Sequence, residues 1–343
     1  MAFFRKRAAI RELSPIASFW RWWSAEGEEL LTAAISDGDF GRLPDRVSQR
    51  VELIHPELQW ETAAGQSARH VFCVTGAGVA DLRPIAERWL RAAPAPSATW
   101  EFAAARRRDP KVLETKLGFA GTILDLALTR AEIQVDEDRM LIDVCIFHPS
   151  FAEIPDEAAR QATFLILDWL LGEDDVERWI AGIDTVVDDP DDSLPIDAVL
   201  EAVEAMAQRH VDPVWILLEA TTSRGERALI TTMRPLRWID HPLLDLHSEI
   251  HVPFSPRRDD GLPTPEALFA LREYEDGLAA VLGTRGMLLA HETFDGRRVF
   301  HVYTDSEDQN ARDAVDLFRP DTVAQCTHSL DANWKRMRQF AER

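Results

Sequence analysis

"GLPTPEALFALREYEDGLAAVLGTRGMLLAHETFDGRRVFHVYTD", Gly261 to Asp305, is the stretch on which the fold turns. Thr264 offers a capping oxygen, Pro265 suits the first helical position, and Glu266 sits at the positive end of the helix dipole. Leu268, Leu271, Tyr274, Leu278, Val281 and Leu282 recur at helical spacing, so a helix is expected over Pro265–Leu282. Gly283 and Gly286 permit its exit turn. Two strands, Met287–Phe294 and Arg298–Thr304, then flank Asp295-Gly296, the preferred pair for a two-residue type I′ hairpin turn.

Moving outward, a strand is expected over Leu246–Phe254, a helix over Asp308–Phe318 and a strand over Thr322–His328. The resulting β-α-β-β-α-β order is ferredoxin-like. Asp331 is placed to cap a last helix carrying Trp334, Met337 and Phe340, and a hairpin of "VWILLEAT" and "RALITTM" comes before the core.

The first half also mixes helices and strands. Helices are expected over Pro15–Ser36, Asp81–Ala93 and Pro155–Leu171. Strands are expected near Leu58–Thr62, His70–Thr75 and Trp100–Ala105, with a hairpin of Thr122–Ile133 and Arg139–Phe147. "DTVVDDPDDSLP", Asp184 to Pro195, reads as an exposed connection, because aspartates and prolines crowd it. The expectation is therefore an α+β protein of two domains. Residues 1–187 form an N-terminal domain, 188–210 an acidic connection and helix, and 211–343 a ferredoxin-like domain with an antiparallel sheet.

The 343 residues carry 59 acidic and 38 basic side chains, a formal charge of -21. A chain this acidic repels a phosphate backbone, and its dense basic runs, Arg5-Lys6-Arg7 and Arg106-Arg107-Arg108, are short, so no nucleic-acid partner is expected. Cys73, Cys145 and Cys326 are widely spaced and odd in number, which suits a reducing, cytoplasmic compartment. "MAFFRKRAAIREL" lacks the apolar run of a signal peptide, and no segment is long and apolar enough to span a bilayer. The Trp-rich start, with Ser14-Pro15 as cap and first residue, is expected to dock on the protein's own core rather than on a membrane.

Strand alternation singles out one sheet face. If Leu246, Ile250 and Val252 face the helices, His247, Glu249 and His251 face away from them. On the same rule His301 and Tyr303 join that face from the third strand, and His291 from the second. Imidazoles beside a carboxylate can ligate metal or move protons, but a covered or solvated sheet face also tolerates them, and a one-residue slip would scatter them.

Other motifs are weaker. "FCVTGAGVADL" has a G-x-G after a strand but no third glycine, and reads as a glycine turn outside any parallel β-α-β unit. Asp125 and Asp143 are candidates for an acid pair, and Glu219 ends a strand; all three read as solvated carboxylates. No zincin, nucleophile-elbow, phosphate-loop or kinase signature is present, so no cofactor and no metal is expected.

With these residues in place, the stretch from Val214 to Phe340 resembles bacterial domain-of-unknown-function family 695. Gly261-Leu262-Pro263, Glu275-Asp276, Thr293 before Gly296-Arg297 and the strand ending in Tyr303 carry the likeness. "HSLDANWKRMRQF" is similar to the Asp-x-x-Trp close of the B-type protein regulators of ribonuclease E. The first family implies no catalytic residues, and the second implies binding and inhibition of an enzyme. The leading expectation is a bacterial protein-binding or regulatory module whose partner is another protein. The alternatives are an enzyme or metal-binding protein using the His-rich face, and an immunity protein against a toxin.

Overall fold

The computed structural model describes residues 13–209, 212–318 and 325–341. The basic run Arg5-Lys6-Arg7 and the first residues of the expected strand from Thr322 lie outside the described residues. The protein is mixed α+β, with sheets that are mostly antiparallel. It divides into two compact units, one ending at Ala105 and the other starting at Arg106. The acidic connection, where the sequence placed a domain boundary, falls inside the second unit.

In the first unit, α1 (Pro15–Trp22) runs through a π-helical turn (Trp23–Gly27) into α2 (Glu28–Asp37). The Ser14 side chain accepts from the Ala17 amide and Pro15 opens the helix, as the sequence suggested. Then come α3 (Leu43–Glu52), β1 (Gln59–Ala64), β2 (His70–Thr75), α4 (Arg83–Arg91) and β3 (Trp100–Ala103). β2 pairs antiparallel with β1 and parallel with β3, so β2, α4 and β3 form a β-α-β unit, which corrects the reading of the glycine turn after β2 as lying outside one.

Phe19, Trp20, Trp22 and Trp23 are buried against Phe72, Trp89, Trp100 and Phe102. Trp20 stacks on Trp89 at 4.6 Å between centroids, and Trp23 meets Trp100 edge-on at 5.2 Å. Each such ring removes roughly 150–250 Å² from water, so the Trp-rich helix is core. The glycine turn after β2 is a packing device. A Cβ on Gly76 would lie 2.8 Å from Leu82 Cβ, and Gly78 has a φ of +83°.

The second unit has two main sheets. After the small hairpin β4 (Lys116–Phe119) and β5 (Thr122–Asp125) come β6 (Arg130–Asp136), β7 (Leu141–Phe147), α5 (Asp156–Leu171), α6 (Glu173–Trp179), β8 (Ile180–Val186), β9 (Leu194–Pro195) and α7 (Asp197–Arg209). The first sheet runs β8-β7-β6-β9, with β7 and β8 parallel. Thus Asp184 to Val186 end a paired strand rather than a free connection, and only the stretch beyond them is irregular until β9. Leu124, Ile142, Ile146, Ile166, Leu167 and Val199 build this layer's core.

The second sheet follows from β10 (Val214–Thr221), β11 (Arg227–Arg234), β12 (Leu246–Pro253), α8 (Pro265–Leu282), β13 (Gly286–Phe294), β14 (Arg297–Thr304), α9 (Gln309–Leu317), β15 (Gln325–Leu330) and a closing turn α10 (Arg338–Ala341). Its order is β10-β11-β13-β14-β12-β15, every neighbouring pair antiparallel. Thr264 caps α8 through the Ala267 amide, and Asp295 and Gly296 both take the positive φ that a type I′ turn requires. Ile250, Leu271, Leu278, Phe300, Val302 and Val315 pack the helices onto one side of the sheet.

Candidate functional site

The side of this sheet away from α8 and α9 gathers five of the six expected residues. Cross-strand pairing sets His247 opposite Tyr303 and Glu249 opposite His301, so all four share a face, and alternation adds His251. His247 Nε2 lies 3.0 Å from His301 Nδ1, with the rings nearly parallel at 5.3 Å. His301 Nε2 continues the chain to Glu292 Oε1 at 3.2 Å. His251 Nε2 meets Glu249 Oε1 at 2.6 Å.

His291 is the exception and a correction. The register of β13 against β14 shifts between Leu288 and Ala290, so Ala290 pairs with His301 and His291 with Phe300. The extra residue is a β-bulge, and it turns every later side chain to the opposite side. His291 therefore sits on the helix-facing side, its ring 5.8 Å from Phe300 and Nε2 3.5 Å from Glu275. Glu292, which sequence reasoning did not single out, takes the place beside His301. Leu288-Leu289-Ala290 are all apolar, so alternation held no signal of the shift.

The His247, His301 and Tyr303 part of the expected face is covered. Asp331 accepts from the Lys335 and Arg336 amides and starts the closing turns. These lay Trp334 5.3 Å from Tyr303 and Phe340 5.5 Å from His301, with Met337 fully buried. The Trp334 indole N–H donates to the Leu244 carbonyl at 2.8 Å. His247, His301 and Tyr303 are consequently buried. Burial, then His301 and Arg336, holds the His247 pKa down at about 4, so the ring is neutral. Burial and Asp331 raise the Tyr303 phenol. Burial works against Glu249, but the hydrogen bond from His251 and the nearby imidazoles hold its carboxyl below the ordinary range.

His247, His301 and Glu292 form a hydrogen-bonded chain that reaches a cavity at Glu292. That cavity, about 430 Å³, is also lined by Arg224, Glu226, Arg297 and Phe340. A larger one of about 730 Å³ is lined by Arg139, Arg178, Arg234, Arg237, Trp238 and Trp334. Three of its arginines meet protein groups: Arg178 binds Asp240 at 2.7 Å, Arg237 lies 4.0 Å over the Trp179 ring, and Arg234 donates to the Phe340 carbonyl at 2.6 Å.

Two further features stand at the edges of the sheet. At one edge, β10 exposes Trp215 and Leu217, 45% and 63% accessible, on the helix-facing side. At the other, Asp316, Cys326 and His328 bring their ligand atoms within 4.8 Å of one another, the one such group of metal-ligating side chains among the described residues. Asp125 and Asp143 do not pair: Asp125 binds Lys116 at 3.2 Å on the small hairpin, and Asp143 lies on β7 beside Gly182. Glu219 binds Arg227 at 2.7 Å. In the basic run, Arg106 pairs with Asp168 and Arg108 with Glu204. No helix among the described residues is long and apolar enough to cross a membrane.

Compared with protein-family models, curated proteins and solved structures, the chain matches none.

Proposed function

We propose that this chain is a bacterial protein-binding module that receives an extended segment of another protein along the open edge of β10. The carrying observation is that edge. β10 is eight residues long, has no partner on its outer side among the described residues, contains no proline, and exposes Trp215 and Leu217 on one side. Native edge strands are commonly blunted by charge, proline or a covering element, and a long apolar edge offers unpaired backbone groups to another chain. An added strand would gain the backbone hydrogen bonds and rest its own apolar side chains beside Trp215 and Leu217.

In this reading the second sheet is a ferredoxin-like core, β15-β12-β14-β13, widened by the β10–β11 hairpin. The strand order and the two helices on one side support it. The resemblance of His328–Phe340, as read from the sequence, to the close of the ribonuclease E regulators is in line with a binding role. The charge of -21 favours a partner segment carrying lysine or arginine. The covering of the imidazole face by Trp334, Met337 and Phe340 makes that face a weaker candidate for meeting a substrate. Three free cysteines suit a reducing, cytoplasmic setting.

The test is cross-linking followed by affinity capture, with the wild-type chain and with the Trp215→Lys, Leu217→Lys double variant. The expected result is a partner protein captured by the wild type, cross-linked within β10 and lost with the variant. Equal capture by both, cross-links elsewhere, or cross-links only to a second copy of this chain would overturn the proposal.

A further inference from the structure

We propose that Asp316, Cys326 and His328 bind one divalent metal ion of the zinc class. The site lies at the β15 edge, opposite β10, and is independent of strand addition there.

The fold builds it from two elements. On β15, Cys326 pairs with Ile250 and His328 with Ser248, so both side chains point to the helix-facing side. The last turn of α9 supplies Asp316 from above that side. Cys326 Sγ lies 3.7 Å from His328 Nε2, and His328 Nε2 lies 3.2 Å from Asp316 Oδ1. Thiolate sulfur, imidazole nitrogen and carboxylate oxygen are the three donors zinc takes, at about 2.3, 2.0–2.1 and 2.0–2.2 Å. At tetrahedral angles those bonds set the donor atoms roughly 3.3–3.8 Å apart. The sulfur and ring nitrogen are already at that separation, the nitrogen and oxygen are slightly inside it, and the sulfur and oxygen lie within 4.8 Å.

The remaining ring nitrogen is held as a metal-binding histidine requires. Ser248 Oγ lies 2.8 Å from His328 Nδ1, and Ser248 is fully buried. A hydroxyl can accept or donate. Without metal, Nε2–H donates to Asp316 and Ser248 donates to Nδ1. With metal on Nε2, the proton resides on Nδ1 and Ser248 accepts it. Binding releases the Cys326 thiol proton to solvent, so affinity rises with pH. Three protein ligands leave the fourth tetrahedral position to water, and the side-chain exposures of 12% for His328 and 33% for Asp316 let solvent reach it. The ion would tie α9 to an edge strand.

The test is titration of the purified full chain with Co²⁺. The expected result is a one-to-one complex with the strong visible bands of a tetrahedral site and a near-ultraviolet thiolate-to-cobalt band, both removed by Zn²⁺. Cys326→Ser should abolish the thiolate band, whereas Cys73→Ser and Cys145→Ser should keep it. Ser248→Ala, which touches no metal, should weaken cobalt binding about 10–100-fold. Asp316→Asn, at a partly exposed position on α9, gives a variant whose folding is readily checked by circular dichroism and whose affinity should fall. A spectrum without tetrahedral bands, a thiolate band surviving in Cys326→Ser, or unchanged affinity in folded Asp316→Asn would overturn the proposal.

Discussion

The Tyr303 hydroxyl donates to Asp331 Oδ2 at 2.6 Å, and this buried bond ties β14 to the segment that closes over the imidazole face. Asp331 also receives the Lys335 and Arg336 amides, so one carboxylate both starts the closing turns and anchors them. Tyr303→Phe leaves Asp331 two donors and should cost about 1–3 kcal/mol, at the low end. Asp331→Ala strands the phenol and two amides and should cost more. Denaturant unfolding of the two variants, read as a midpoint shift at constant slope, gives the order.

Acid should weaken the protein through two neutral imidazoles. Burial, then neighbouring positive charge, holds His247 at about 4 and His291 at about 3, against an ordinary 6.5. Above pH 6.5 neither ring is protonated in either state, and neither affects stability. As pH falls below 6.5, the unfolded chain takes up protons that the folded chain refuses, so stability drops by up to about 1.4 kcal/mol per pH unit for each ring. The loss levels off below about 4 for His247 and about 3 for His291. His247→Gln should shallow the slope between pH 6.5 and 4 by about one proton; an unchanged slope would contradict the burial argument.

The aromatic core of the first unit should be intolerant of truncation. Trp23 and Trp89 are fully buried, and each meets several other rings. Either one changed to Ala should cost about 3–5 kcal/mol. Near-ultraviolet circular dichroism should register the lost ring contacts together with the fall in melting temperature.

Leu217→Lys should leave stability within about 0.5 kcal/mol of wild type, because the side chain is mostly in water. A large loss in thermal unfolding would mean that Leu217 packs against the protein itself, and strand addition would lose its main support.

Local signals were read well where several agreed. Thr264, Pro265 and the apolar stripe marked the helix from Pro265 to Leu282, and Asp295-Gly296 marked the turn; both stand as read. The shared face of His247, Glu249, His301 and Tyr303 followed from alternation along two strands. What escaped was nonlocal. The shift beside Leu289 carries no glycine or proline, and its neighbours are uniformly apolar, so His291 went to the wrong side. Trp334, Met337 and Phe340 were placed on a last helix, but nothing in their spacing told which face they would cover. The division at Ala105 carries no linker composition, whereas the aspartate-rich stretch that looked like one is partly a strand. Cys326, His328 and Asp316 come from a strand and a helix whose crossing no short motif records.

The single unpaired residue of β13 works as an inverter. Ahead of it Met287 shares a side with Tyr303; beyond it the carboxylate of Glu292 serves one surface and the imidazole of His291 the other. A relative that lost Leu289 alone would keep His291 opposite Phe300 and Glu292 on the side of His301, because plain alternation onward from Leu288, which pairs with Val302, gives those same sides. The bulge is slack in the strand: it takes up one residue of length and leaves the polar interior of the sheet, its helices and its hairpin turn as they are.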